Sequence, residues 1–260
     1  MKVTLLTHTP EPEKIVASAA KLCYSSSDIE TLMDGLTDEK VDSFLTKLES
    51  LGHGSPFEHV SFTFGIEDVS RSFLAQITRH RIGCSFSVQS QRYVRLDGDK
   101  KSMIIPDAIK NNPDALQVFN EATNTTSNSY EHLCKILEDD HYEKFIADGL
   151  DEKSARRKAS KMANEEARSV LPNACSTRMI VTMNARELNH FFDMRCCSRS
   201  QDEIREVANE MLRLVYPIAP HLFKNAGPGC VSGACPEGAM SCGRANEMRD
   251  FYKNLKENHN

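Results

Sequence analysis

The stretch VSFTFGI, Val60 to Ile66, sets the frame: Val60, Phe62, Phe64 and Ile66 alternate with Ser61, Thr63 and Gly65. A period of two is that of a strand with one face on a core. Immediately before it stands HGSPFEH, His53 to His59, a proline turn flanked by two histidines and a glutamate. Immediately after it, Ser70 to Arg81 carries Phe73, Leu74 and Ile77 at helical spacing, which predicts a helix delivering Arg79, His80 and Arg81 at its end. Further upstream, Lys2 to Thr7 predicts a short strand and Glu13 to Tyr24 a helix. Val41, Phe44, Leu45 and Leu48 form one stripe of a second helix, closed by the glycines of LGHGSP.

Downstream, Pro106 to Arg168 is polar and helical, with Leu116, Phe119, Leu133 and Leu137 as anchors and Pro113 near a helix start. It reads as a peripheral helical layer. RMIVTMN, Arg178 to Asn184, is β-branched and methionine-rich enough for a buried strand, and a helix through Leu188, Phe191 and Phe192 follows it. SQDE, Ser200 to Glu203, reads as a capping box opening a helix in which Ile204, Val207, Ala208, Met211 and Val215 share a face. The tail from Asn225 is rich in glycine and cysteine and reads as irregular. With no repeat or linker in view, the expected class is α/β, a mixed sheet packed with helices. One catalytic domain is expected over residues 1–225 with a helical insertion at about 106–168, followed by a Cys/Gly-rich tail at 226–260.

Composition bounds what such a chain does. Thirty-two Lys and Arg against 37 Asp and Glu give a net charge of −5, which argues against binding nucleic acid by bulk electrostatics, so any basic site is local. No apolar run is long enough for a membrane-spanning helix or a signal peptide, so a cytoplasmic protein is expected. Nine cysteines, an odd number, then read as thiols or metal ligands rather than as a disulfide framework.

Four segments carry candidate chemistry. RHRIGCSFSVQSQRYV, Arg79 to Val94, gathers Arg79, His80, Arg81 and Arg92 with Ser85, Ser87, Gln89, Ser90 and Gln91. Guanidinium forks with hydroxyl and amide groups around them suit phosphate oxygens, although a solvated helix end or an interface cluster would use the same residues. His53 to His59 places polar groups at the mouth of a sheet, in a spacing that matches no standard zinc pattern. In NARELNHFFDMR, Asn184 to Arg195, Arg186 and His190 are four apart and share a helix face, as an ordinary ion-paired helix also allows. The tail runs C-x4-C-x6-C through Cys230, Cys235 and Cys242. That pattern binds zinc only if a fourth ligand such as His221 or a group from another subunit completes it, and otherwise holds plain thiols.

Together these segments resemble the flavin-dependent thymidylate synthases. The hallmark of that family is R-H-R followed by a serine and x-R-Y; here Arg79, His80 and Arg81 lead through eight residues to Ser90, Arg92 and Tyr93. HGSPFEHVSFTF, EARSVLP (Glu166 to Pro172), NARELNHFFDMR and the SQDEI after it also match, which covers most of the chain outside the insertion and the tail. The resemblance implies synthesis of thymidylate from deoxyuridylate (dUMP), with 5,10-methylenetetrahydrofolate giving the carbon and FAD, reduced by NADPH, giving the hydride. It implies dUMP binding at Gln76, Arg79, Gln89, Ser90, Gln91, Arg92, Arg168 and Arg195, with Arg195 and Ser90 at the reacting centre. It implies FAD binding at Ser55, Arg79, His80, Arg81, Asn184, Arg186 and His190, with His53 close by. A homotetramer with sites shared between subunits is implied as well, and no cysteine nucleophile, which leaves Cys84 and Cys175 dispensable. Two other readings stay open at this level: a folate- and flavin-dependent RNA methyltransferase, for which a basic surface and a dinucleotide glycine fingerprint are missing, and a non-catalytic nucleotide- or zinc-binding regulator.

Overall fold

The computed structural model describes residues 1–50, 53–96 and 103–257, and within these the chain divides into two compact units. The first comprises 1–67, 76–87 and the chain from 180 onward; the second comprises 68–75 and 88–179.

In the first unit β1 (Lys2–His8) runs antiparallel to β2 (Ser61–Ser70), pairing Val3 with Ile66 and Leu5 with Phe64, and the register slips between Leu5 and Thr7. β3 (Cys84–Val88) and β4 (Ser176–Asn184) complete a four-stranded sheet in the order β1-β2-β4-β3. The alternation in VSFTFGI does what its period requires: Val60, Phe62, Phe64 and Ile66 have no solvent exposure. On the other face Thr63 and Thr182 join their hydroxyls at 2.9 Å. α8 (Ala185–Arg195) and α9 (Asp202–Val215) bury Leu188, Phe191, Phe192, Ile204, Val207, Ala208, Met211 and Val215 completely. Phe223 joins these layers, with its ring 5.4 Å from Phe62 and 5.9 Å from Phe192, both edge to face. Each such buried ring stabilises the unit by roughly 1.5–3 kcal/mol relative to exposure. α1 (Pro12–Leu22), α2 (Ile29–Asp34) and α3 (Asp38–Ser50) also belong to this unit, as does α10 (Ala245–Glu257). α4 (Arg71–Ile77) follows directly on β2.

The second unit is built on α6 (Pro113–Ala147) and α7 (Glu152–Ala167), preceded by the short α5 (Asp107–Lys110). Pro113 takes the first helical position of α6, and the Asn112 side chain accepts from the amides of Asp114 and Ala115. Asp151 caps α7 through the Ser154 amide. Ala155, Ala159, Ala163 and Ala167 are all buried at a spacing of four, so α7 presents a flat stripe that a neighbouring backbone can approach closely. α6 supplies Tyr130 and Cys134, with Leu133 and Leu137 beside them. The buried Tyr130 hydroxyl finds no hydrogen-bond partner within normal geometry among the described residues, and burial is the main cause pushing its pKa up to about 12. Tyr130→Phe removes an unpaired polar group and keeps the ring, so stability should rise by about 1 kcal/mol in a thermal melt. A fall would show that the hydroxyl is satisfied.

Several expectations need correction. α4 stops at Ile77, so the Arg79–Arg81 triplet lies beyond it in a turn. The serine-rich stretch after the triplet contains β3, with Cys84, Phe86 and Val88 on one face and Ser85 and Ser87 exposed. The capping box does not form: Gln201 is the N-cap of α9 but its side chain does not cap the helix, and Ser200 Oγ donates to the Met194 carbonyl at 2.9 Å. The tail is not irregular throughout, because α10 forms within it, and α2 was not foreseen. The expected stop after α3 at Leu51 and Gly52 lies outside the described residues.

Candidate active site

Two amides close turns behind α4, Arg79 N to the Gln76 carbonyl at 3.3 Å and His80 N to the Ile77 carbonyl at 3.1 Å. The turn sends Arg79 and Arg81 to solvent and His80 inward, where it is 7% exposed. Gly83 follows with a φ of +72°, the left-handed conformation that glycine adopts without strain. That conformation leads into β3, and the Gly83 carbonyl accepts from Asn184 N at 2.8 Å. Asn184 caps α8, its Oδ1 accepting from Glu187 N at 2.8 Å. Glu187, Phe191 and Arg195 then fall four apart on one face of α8, and His80 packs on that face with its ring 5.0 Å from Phe191.

The contacts on His80 fix its protonation state. Arg195 Nε always bears hydrogen and lies 3.1 Å from His80 Nε2, so Nε2 accepts. The remaining proton sits on Nδ1, which donates to Glu187 Oε1 at 2.7 Å. Burial pushes the His80 pKa below its ordinary value; Glu187 opposes this, while Arg195 and His190 add to it. Neutral His80 is the form this geometry needs. Arg195 is half-buried, and burial followed by the charge of Arg79 lowers its pKa from the usual guanidinium value. Its two terminal nitrogens bond to none of the described residues, so a fixed cation is held by Nε alone with its fork open.

The other residues assigned to FAD by resemblance lie in the same unit. Ser55 opens the 3-10 turn Ser55–His59 and is exposed, as are His53 and His190; the His190 ring is 5.7 Å from that of His80. Arg186 is paired with Glu58. His53 and Arg186 line a cavity of about 320 Å³ that also includes Asn189, Asp193 and His221. Leu48, Phe57, Leu222 and Ala226 give it an apolar lining, and Asn225, Gly227, Gly229 and Ser232 contribute from the tail. An aromatic ring system with polar edges fits such a lining. Exposed Arg79 and Arg81 are donors of the kind that a pyrophosphate needs.

The dUMP set divides between the units. Gln76, Arg79 and Arg195 belong to the first, and Gln76 is paired with Gln201. Gln89, Ser90, Gln91, Arg92 and Arg168 belong to the second. There Ser90 opens a tight turn, its carbonyl accepting from Tyr93 N at 3.3 Å and Val94 N at 3.1 Å. Arg92 Nε donates to Glu165 at 2.8 Å. Gln89 N reaches the Arg178 carbonyl at 3.0 Å, and with its amide turned, its side-chain oxygen accepts from the Arg178 guanidinium at 2.8 and 3.0 Å. Arg168 opens the 3-10 turn Arg168–Val170 and is half-buried.

All nine cysteines are free thiols. Cys84 Sγ donates to the His80 carbonyl at 2.9 Å, and burial followed by the charge of Glu187 raises its pKa. Burial pushes buried Cys175 up to about 11. Neither is a thiolate at neutral pH. Cys84→Ser and Cys175→Ala should therefore each retain turnover within a few-fold, measured as product formed per bound flavin. Loss of turnover in folded Cys84→Ser would assign that thiol to the chemistry. His221, weighed above as a fourth zinc ligand, is engaged by Glu13 at 2.9 Å and Asp42 at 2.7 Å. Among the described residues no group of three or more His, Cys, Asp and Glu side chains is arranged for a metal ion.

Reasoning from the sequence missed Glu187, Asn189, Asp193, Glu165, Arg178 and the tail wall of the cavity. Glu187 and Asp193 carried a usable signal, because they fall three and nine residues after Asn184, inside a segment already singled out.

Exposed guanidiniums at a turn, a histidine-held arginine and a ring-sized cavity with apolar walls suit an anionic ligand that carries aromatic rings, on an α/β fold. The family model described as thymidylate synthase complementing protein matches residues 4–221. A flavin-dependent thymidylate synthase of Clostridium tetani is 52% identical over 252 residues, 97% of each chain. One from Geobacter sulfurreducens is 46% identical over 255 residues, covering 98% of this chain and 99% of the relative. The chain belongs to the flavin-dependent thymidylate synthase family. Its fold is similar to that of the Helicobacter pylori thymidylate synthase ThyX solved with FAD and dUMP, with TM-score 0.61 at 20% identity, over 87% of this chain and all of that one. It is also similar to PolB of Streptomyces cacaoi, a UMP/dUMP methylase solved with 5-Br dUMP, with TM-score 0.61 at 25% identity, over 87% of this chain and 95% of that one.

Proposed function

We propose that this chain makes thymidylate from dUMP, taking the carbon from 5,10-methylenetetrahydrofolate and the hydride from FAD that NADPH has reduced. Membership in the family supports this, and the observation that carries it is the Arg195 guanidinium held at Nε by the histidine of the R-H-R motif. The flavin, when bound, supplies the redox chemistry; the chain binds, orients and stabilises charge.

In this reading the dUMP phosphate is taken by arginines from the set Arg79, Arg92 and Arg168, with Gln76, Gln89, Ser90 and Gln91 orienting the rest of the nucleotide. Arg195 presents its open fork to the pyrimidine and stabilises the negative charge that grows on the ring as carbon 5 becomes nucleophilic. Ser90 takes the second role at the reacting centre in this reading, offering its hydroxyl to the nucleotide. Arg79, His80, Arg81, Asn184, Arg186, His190, His53 and Ser55 form the flavin set, with exposed guanidiniums for its pyrophosphate. No thiolate takes part, in keeping with the raised pKa values of Cys84 and Cys175.

The working enzyme is a homotetramer whose sites draw on more than one subunit. Membership in the family supports this. A net charge of −5 supports small-molecule rather than nucleic-acid partners. No helix among the described residues is long and apolar enough to cross a membrane, and a cytoplasmic place follows from the nucleotide and folate substrates. An anaerobic assay tests the whole reading. Purified protein should show a flavin spectrum that bleaches with NADPH and recovers, with thymidylate formed, when dUMP and methylenetetrahydrofolate are added. A bleached flavin without thymidylate would overturn it.

A further inference from the structure

We propose that Glu187 is a positioning residue of this site: through His80 it sets the direction in which Arg195 presents its guanidinium. The inference rests on the reading above for the role of Arg195, and on geometry for the rest. Glu187 Oε1 takes the Nδ1 proton of His80 at 2.7 Å, which leaves Nε2 as the lone pair that Arg195 Nε meets at 3.1 Å. Without that acceptor the Nδ1–H form would rest on Arg195 Nε–H alone, and whenever the ring takes the Nε2–H form it turns a donor toward Arg195 Nε–H and releases its direction. Glu187 thus acts on Arg195 without touching it.

Stability alone does not account for this carboxylate. Glu187 is 8% exposed, and a buried charge costs more than it returns unless fully paired. Its only side-chain partner among the described residues is a histidine that the same site keeps neutral. A leucine would spare that cost but leave the buried Nδ1–H of His80 without an acceptor; the carboxylate supplies that acceptor and, together with Arg195 Nε–H, holds the tautomer.

The arrangement also fixes a pH dependence. The groups facing His80 are Glu187, His190 and Arg195 from α8, and Cys84, whose Sγ bonds the His80 carbonyl; Arg79 acts on Arg195. As pH falls below the ordinary histidine range, protonation of His80 converts Nε2 to a donor and pushes Arg195 away. Turnover should fall on that acid limb. Because burial lowers the His80 pKa, the unfolded chain takes up this proton at a higher pH than the folded one, so stability is lost in the same direction. Glutamine at 187 still accepts from Nδ1–H but removes the charge that raises the His80 pKa, so the acid limb should move to lower pH.

The test uses the flavin-loaded enzyme, Glu187→Gln and Glu187→Ala. Turnover and KM for dUMP are measured across pH, alongside flavin occupancy and the His80 tautomer by nitrogen NMR of labelled histidine. Glu187→Gln is expected to keep turnover within a few-fold, keep a single tautomer and shift the acid limb down. Glu187→Ala is expected to lose kcat by up to about 10²-fold, the cost of an angstrom's misplacement, with flavin retained and both tautomers present. Wild-type turnover in Glu187→Ala, or a single Nδ1–H tautomer there, would overturn the proposal. If Glu187→Ala does not fold, an unmoved acid limb in Glu187→Gln does so. A wild-type enzyme that makes no thymidylate would instead overturn the function, and the tautomer comparison would still decide the Glu187–His80 relation.

Discussion

Arg195→Ala should lower thymidylate turnover by about 10²–10³-fold, the usual cost of deleting one fixed donor that stabilises charge in a transition state. The side chain is half-buried, held at Nε by His80 and repelled by Arg79, so its direction is built into the protein before substrate arrives. Flavin retention should change little, because the flavin set uses other side chains. Arg195→Lys restores the charge but not the planar fork, and should recover only part of the loss. Turnover and bound flavin are measured on the same preparations. If both fall together in Arg195→Ala, the residue holds the cofactor and its assignment to the pyrimidine fails.

Gly83→Ala should destabilise the folded chain by about 2–3 kcal/mol. An L side chain in the left-handed region costs about 1–2 kcal/mol, and a lost helix cap about 1 kcal/mol. Both apply here. With φ at +72°, a β-carbon at residue 83 would come within 2.4 Å of Asn184 Nδ2 and 2.8 Å of its Oδ1, the atom that caps α8. Gly149, with φ at +85° and nothing within 4 Å, is the control, since Gly149→Ala carries the backbone cost without the collision. Thermal melts of the two variants separate the terms. Equal losses would mean that Asn184 yields without disturbing α8.

How far the sequence was legible depended on the range of the interaction. β2, β4, α8 and α9 were readable because their apolar residues recur at the period of the element and their fate is burial on one side. β3 has the same period of two in Cys84, Phe86 and Val88, but five residues with exposed serines between them read first as a polar motif. α10 was hidden by the composition of the tail around it, although Met248, Phe251, Tyr252 and Leu255 keep helical spacing. The capping box failed because Ser200 has a better acceptor at Met194, and that competition depends on how α8 ends.

Of the site, the basic motif and the α8 segment were visible as clusters of chemistry, and resemblance supplied their ligands. What stayed hidden was who holds whom. Glu187 and His80 are 107 residues apart, and Arg195 and His80 are 115 apart. No spacing rule reaches that far, and only the packing of the turn after α4 against α8 brings them together.

Tyr252 ties the last helix to this centre. Its hydroxyl lies 2.8 Å from the Cys196 carbonyl and 2.7 Å from Asn209 Oδ1, with the ring 1% exposed. Cys196 is the residue after Arg195 and the C-cap of α8. A protease that trims past Tyr252, or a fusion that peels α10 away, would therefore free the end of α8 first, and loss of activity would precede unfolding of the sheet.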